Sequence, residues 1–260
     1  MFNHKKKLVL TSIILVSCTR LLGNNIEASN YEAVRQKWRK WADDLVIAER
    51  DKFLASYGLN ANALIGAPVN DFKSASDTRA EAELEYLLKA NKQKLPQAME
   101  VKRIAQEIFE SDVQILHEPE FNVDGVGVCK HYAKGIVYIM LNCDKHLENI
   151  DLLREILRHE YSHVLHSDNI NEEITQCLCW MKSGTERSTL EEQTIPYHRA
   201  FETRADVYAA TTSPDNGKHL KKFLVDNDNG TDPLNYPTTA ERIALLEKIE
   251  AELCVISKTK

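Results

Sequence analysis

The chain is poor in residues that interrupt regular structure, with nine glycines and seven prolines among 260 residues. It has no repeat and no low-complexity tract, which excludes solenoid, collagen-like and linker-dominated architectures. Positive charge is not in excess either: the formal net charge is −6, and no basic face is offered to a phosphate backbone. Nucleic-acid binding is therefore not expected. Basic runs such as Lys218-His219-Leu220-Lys221-Lys222 are short and broken by apolar positions, as on a solvated helix face. What is present is 43% hydrophobic and 28% charged residues, the balance of a globular chain read as one domain with an extension.

Three lysines at 5–7 precede a largely apolar run of ten residues, 8–17, which is signal-peptide length and too short to span a bilayer comfortably. Export is expected, with residues 1–28 as the targeting segment. Leu15-Val16-Ser17-Cys18 resembles a bacterial lipobox, which would make Cys18 a lipidated first residue and tie the protein to a membrane. Thr19, rather than Asp, suits an outer-membrane lipoprotein facing the periplasm; cleavage after 26–28 is the alternative. The other cysteines, Cys129, Cys143, Cys177, Cys179 and Cys254, are odd in number, so at least one is unpaired within the chain. Cys177 and Cys179 read as thiols on a helix, and the sequence leaves open a bridge between Cys129 and Cys143.

His159-Glu160-Tyr161-Ser162-His163 sits late in a segment whose apolar residues, Leu152, Leu153, Ile156, Leu157 and Val164, fall at helical spacing. Residues four apart share one helix face about 6 Å along the axis, so both imidazoles can bind a single Zn²⁺. Glu160, one position round, can then reach the attacking water.

A catalytic zinc usually takes three protein ligands. His166 lies one turn too far along the same helix, and the HExxHxxGxxH pattern fails because His166 and Asn169 occupy its glycine and third-histidine positions. Glu172 and Glu173 read as acidic residues opening the next helix. The better candidate is Glu202, in a helical stretch after Pro196 where Glu202 and Asp206 are four apart on one face. Asp206 can accept from the other nitrogen of a ligating histidine and fix its tautomer. The alternative is a solvated acidic face bridged to Arg199 and Arg204. Two neutral imidazoles and one carboxylate would leave one zinc per chain net positive, and so still a Lewis acid.

HExxH followed by Tyr197, Arg199, Glu202, Ala205 and Asp206 in the pattern Y-x-R-x-x-E-x-x-A-D resembles the gluzincin metallopeptidases of the HtpX, CAAX prenyl protease and Oma type. A later block of that family, H-P-x-x-x-x-R-I, resembles Tyr236-Pro237-Thr238-Thr239-Ala240-Glu241-Arg242-Ile243, with tyrosine in place of the histidine. The resemblance covers residues 128–246 and implies a zincin-like α+β fold in a compact form without the membrane spans of the multi-pass members. It also implies Glu202 as third ligand, and it fixes Arg242, which either pairs with a carboxylate of the site or polarises the substrate. Tyr236 is expected either to donate to an oxyanion or to pack over the rim.

The remaining chain predicts helices over 31–57, 78–91 and 97–111, and strands over 112–118, 127–132 and 136–141, with Lys134-Gly135 turning between the last two. A helical region, 30–111, thus precedes a zincin-like metallopeptidase domain, 112–256, with a small mixed sheet. The strand before the metal helix, 136–141, is placed either to pair with an extended substrate at the sheet edge or to lie inside the sheet. The function expected is a zinc-dependent endopeptidase of the bacterial envelope acting on proteins or peptides. A non-catalytic zinc-binding or chaperone-like envelope protein and a secreted effector protease are the alternatives.

Overall fold

The computed structural model describes residues 3–258 apart from 91–95, 124, 229–233 and 235. Side chains are described for 29–78, 81, 96–123, 125–228, 234 and 236–255. The side chains of the segment read as an export signal, Cys18 included, lie outside that set. Among the described residues no helix is long and apolar enough to cross a membrane.

The architecture is α+β and mostly helical. Helices α1 (Asn3–Ser56), α2 (Val69–Ala90) and α3 (Pro96–Gln106) lead into strands β1 (Asp112–His117), β2 (Gly127–His131) and β3 (Ile136–Leu141). Helices α4 (Cys143–Leu147), α5 (Ile150–His166), α6 (Asp168–Ser183), α7 (Arg187–Gln193), α8 (Ile195–Thr212), α9 (Lys218–Asp226) and α10 (Thr239–Lys258) complete the chain. The second helix begins nine residues before the expected 78 and the third ends five before 111.

The three strands form a mixed sheet in the order β1-β3-β2, with β1 parallel and β2 antiparallel to β3. Of the two placements open to 136–141 the inner one holds: β3 lies between β1 and β2, and the edge beside α5 is β2. The physical reason lies in the run Ile136-Val137-Tyr138-Ile139-Met140-Leu141, apolar at every position. Such a strand buries both faces and suits the centre of a sheet. Gly135, at φ 66°, supplies the left-handed turn that folds β2 back on β3.

Helix α5 starts at Asn149, whose side chain accepts from the amide of Leu152 at 3.1 Å. Its Leu153, Leu157 and Val164 pack with Val113, Val137 and Ile139 of the sheet and Ile104 of α3. Each fully buried aliphatic side chain of this kind contributes about 1.5–3 kcal/mol. The helix ends at Ser167, whose φ of 54° is left-handed and turns the chain directly into α6.

Helix α8 is buried almost all round, between α1, α5 and α10. Ala42 of α1 joins Val207 and Ala210 of α8 and Leu246 and Ile249 of α10 in a second apolar cluster. The last helix is capped by Thr238. The amide of Glu241 donates to the Thr238 hydroxyl at 3.2 Å, and the Glu241 carboxylate accepts from the Thr238 amide at 2.8 Å. Cys143 is a free, buried thiol at the start of α4.

Candidate metal centre

A helix buried on all sides cannot leave charged side chains unpaired, and α8 buries Glu202, Arg204 and Asp206. Their partners come from α5, the start of α6 and α10. Nε2 of His159 and Nε2 of His163 stand 3.3 Å apart, and Oε2 of Glu202 is 3.1 Å from the first. Oε1 of Glu202 is 3.6 Å from Nε2 of His163. Ligand atoms bonded at about 2.0–2.1 Å to a tetrahedral ion are separated by about 3.3 Å, so the three groups fit one small ion. They are the one group of this kind among the described residues.

The ring nitrogens on the far side are engaged in turn. Nδ1 of His159 donates to Asp206 at 3.0 Å, and Nδ1 of His163 donates to Asp168 at 2.9 Å. Each of these aspartates is gripped by an arginine. Arg242 bonds Asp206 through Nε at 2.7 Å and Nη2 at 2.8 Å, and Arg204 bonds Asp168 through Nη2. Both histidines therefore carry Nδ1–H and direct their Nε2 atoms toward one point, the arrangement that metal ligation requires.

The electrostatics follow from this shell. Burial opposes charge on His159, but the carboxylates of Asp206 and Glu202 outweigh it and raise its pKa to about 10. Burial alone would raise the Glu202 carboxyl; the facing imidazoles, led by the bond from His159, bring it below the ordinary value. Burial would likewise raise Asp206, yet Arg242 and His159 hold it well below the usual carboxylate range. Glu160 behaves oppositely. It makes no hydrogen bond or ion pair among the described residues, and desolvation pushes its pKa up.

Of the residues read from sequence, His159, His163 and Glu202 converge, and Asp206 stands behind His159. Arg242 grips Asp206, which settles its partner as a carboxylate of the site. Tyr236 lies at the rim, 37% exposed, with its ring 6.3 Å from that of His198 and 6.0 Å from the Arg242 guanidinium. The Glu202 charge, burial and the Glu160 charge push its phenol up to about 12, so it stays a donor. His166 turns away, its Nδ1 on the Ser162 carbonyl at 2.8 Å.

Three participants escape the sequence reading. Asp168 reaches His163 because the left-handed Ser167 reverses the chain, and Arg204 is easily taken for a surface partner. The third is His198, four residues before Glu202 on α8. Its Nδ1 is 3.2 Å from Glu172 and its Nε2 is 3.6 Å from Glu202. That i, i+4 spacing with Glu202 is the signal that could have found it. Glu172 is thereby occupied by a histidine and does not complete the metal group. Comparison of the chain with protein-family models, with curated proteins and with solved structures finds no match.

Proposed function

We propose that the protein is a zinc-dependent endopeptidase in which His159, His163 and Glu202 hold one Zn²⁺ per chain. The observation that carries the reading is the convergence of these three ligand groups beside the unpaired carboxylate of Glu160. Two imidazoles and a carboxylate are a donor set that zinc accepts in hydrolytic sites, and the resemblance to gluzincins points the same way. A purely structural site has no use for a desolvated base next to it.

Bound there, the ion supplies Lewis acidity, lowering the pKa of a water to about 7 and polarising the scissile carbonyl. Glu160 takes a proton from the attacking water and returns it to the leaving amine. Its raised pKa suits a group that must hold that proton between the two steps. Tyr236 donates from its phenol to the oxygen on which charge develops. Asp206 with Arg242, and Asp168 with Arg204, keep the two imidazoles in one tautomer and orientation. The substrate is a polypeptide in extended form, and a place in the bacterial envelope belongs to the same proposal, supported by the N-terminal sequence.

The test is Glu160→Gln. The variant should retain one zinc per chain and lose nearly all hydrolysis of an unfolded protein such as casein. Proteolysis that survives in a pure preparation of the variant would sink the mechanism.

A further inference from the structure

A cavity of about 700 Å³ lies between α1, α8 and α10, and none of the three metal-binding side chains lines it. It meets the metal centre only from behind, where the ion pair of Asp206 with Arg242 forms part of its wall. The volume is that of a small-molecule site. Trp38, Trp41 and Leu45 come from one face of α1, Ala200 from α8 and Leu245 from α10. Trp38 and Trp41 meet edge to face at 5.4 Å, and Trp41 remains 42% exposed at the margin.

The cleft has a direction. Lys37 and Glu49, its first and last lining residues on α1, lie about 18 Å apart along the helix axis. Helix α8 runs against α1, since Arg39 bonds Thr211 while Val46 packs on Tyr197 and Ala200. Helix α10 does the same, because Lys37 pairs with Glu252 near its end. Pro196 and Pro237, which precede most of these two helices, therefore lie at the Glu49 end. The charges divide along the same line. Three carboxylates line the cleft and each is already held: Asp206 by Arg242, Glu241 by Arg199 at 2.9 Å, and Glu49 by Lys52 at 2.5 Å. Lys248 is not held. It makes no hydrogen bond or ion pair among the described residues, and it stands one helical turn before Glu252, hence at the Lys37 end. The cleft is thus apolar along its length, neutral at one end and positive at the other.

We infer that this cleft binds a long-chain carboxylate, its headgroup on Lys248 and its acyl chain running past Trp41 and Leu45 toward Pro196. Leu45 and Leu245 are half-buried, and Ala200 and Pro237 are buried, so the apolar wall is recessed between helices. A flexible chain reaches such a wall; a flat protein surface does not. Each methylene laid against it leaves water, and the uncompensated ammonium selects the sign of the headgroup. The inference stands apart from the peptidase reading, because no metal ligand lines the cleft.

The test uses the full-length chain carrying Trp180→Phe, which leaves Trp38 and Trp41 as its only indoles. Laurate is titrated below its micelle concentration and followed by tryptophan emission and calorimetry. One laurate per chain should bind with a change in emission, and affinity should rise about two- to threefold per methylene from octanoate to laurate. Dodecylammonium, a chain of the same length with the opposite charge, should bind about tenfold more weakly. Lys248→Glu, at an exposed position, should weaken laurate by about fivefold and strengthen dodecylammonium by a similar factor. Trp41→Ala should weaken laurate and remove most of the emission change. Absence of laurate binding overturns the inference, as does equal affinity for the two amphiphiles. Laurate binding untouched by both Lys248→Glu and Trp41→Ala also overturns it, because the acid then sits elsewhere on the chain. A dimer that sedimentation detects, that Trp41→Ala dissociates and laurate does not, would give the cleft to a second copy instead.

Discussion

Arg242 holds Asp206 with two nitrogens, and Asp206 in turn fixes the imidazole of His159 at 3.0 Å. The last helix thereby orients a residue of α5 across α8. Arg242→Lys keeps a positive charge but loses the planar two-pronged grip. Zinc affinity should fall by about 10–100-fold with one zinc per chain still bound at saturation, measured by competition with a chromophoric chelator. An affinity equal to wild type would mean that Asp206 needs no help from Arg242.

Glu202 and Glu172 make a matched pair of tests, since both are carboxylates within reach of His198. Glu202→Ala removes a ligand and should weaken zinc by about a hundredfold or more. Glu172→Ala should leave zinc affinity within about threefold, because that carboxylate is a hydrogen-bond partner of His198 and not of the ion. The reverse ordering would move the third ligand to α6.

Tyr236 differs from its surroundings in offering a neutral donor among carboxylates. Tyr236→Phe deletes only the hydroxyl, and it should lower kcat by about a hundredfold with KM little changed. A variant with wild-type kcat would reduce the residue to packing at the rim.

Glu155 gives the fold a pH dependence of its own. Its carboxylate, 1% exposed, accepts from the Leu220 amide at 2.6 Å and the Ser213 hydroxyl at 2.9 Å, joining α5 to the start of α9. Burial raises its pKa above 4.5 despite these bonds. A carboxyl with a raised folded pKa favours folding in its protonated form, so its contribution is fully present below the unfolded value and is lost as pH rises through the folded one. Urea titrations between about pH 4 and about pH 8 should therefore show a flatter profile for Glu155→Gln than for wild type. Glu155→Ala should cost about 1–3 kcal/mol, because the Leu220 amide loses its acceptor. Parallel pH profiles for wild type and Glu155→Gln would refute the assignment.

The metal group was legible because its parts are local: His159 and His163 are one turn apart, and Glu202 and Asp206 repeat that spacing on a second helix. The strand segments were legible for the same reason. Strand order was not, since the insertion of β3 between β1 and β2 is decided by pairings across the chain. The apolar run of β3 held the clue to an inner position, but its place just before α5 suited an edge equally well, so both stayed open. Asp168 was hidden by a single backbone angle at Ser167, a residue type that seldom adopts positive φ. Arg204 was hidden by its company, because an arginine among acidic residues reads as surface until the burial of α8 is known.

The paired aspartates and arginines also set a charge balance. Asp206 with Arg242 and Asp168 with Arg204 each sum to zero, which leaves Glu160 and Glu202, when ionised, as the two negative charges of the enclosure. A divalent ion would bring those two carboxylates to electroneutrality, whereas a monovalent ion would leave them short and a trivalent one would overshoot; the arginines, by cancelling both aspartates, keep that count at two.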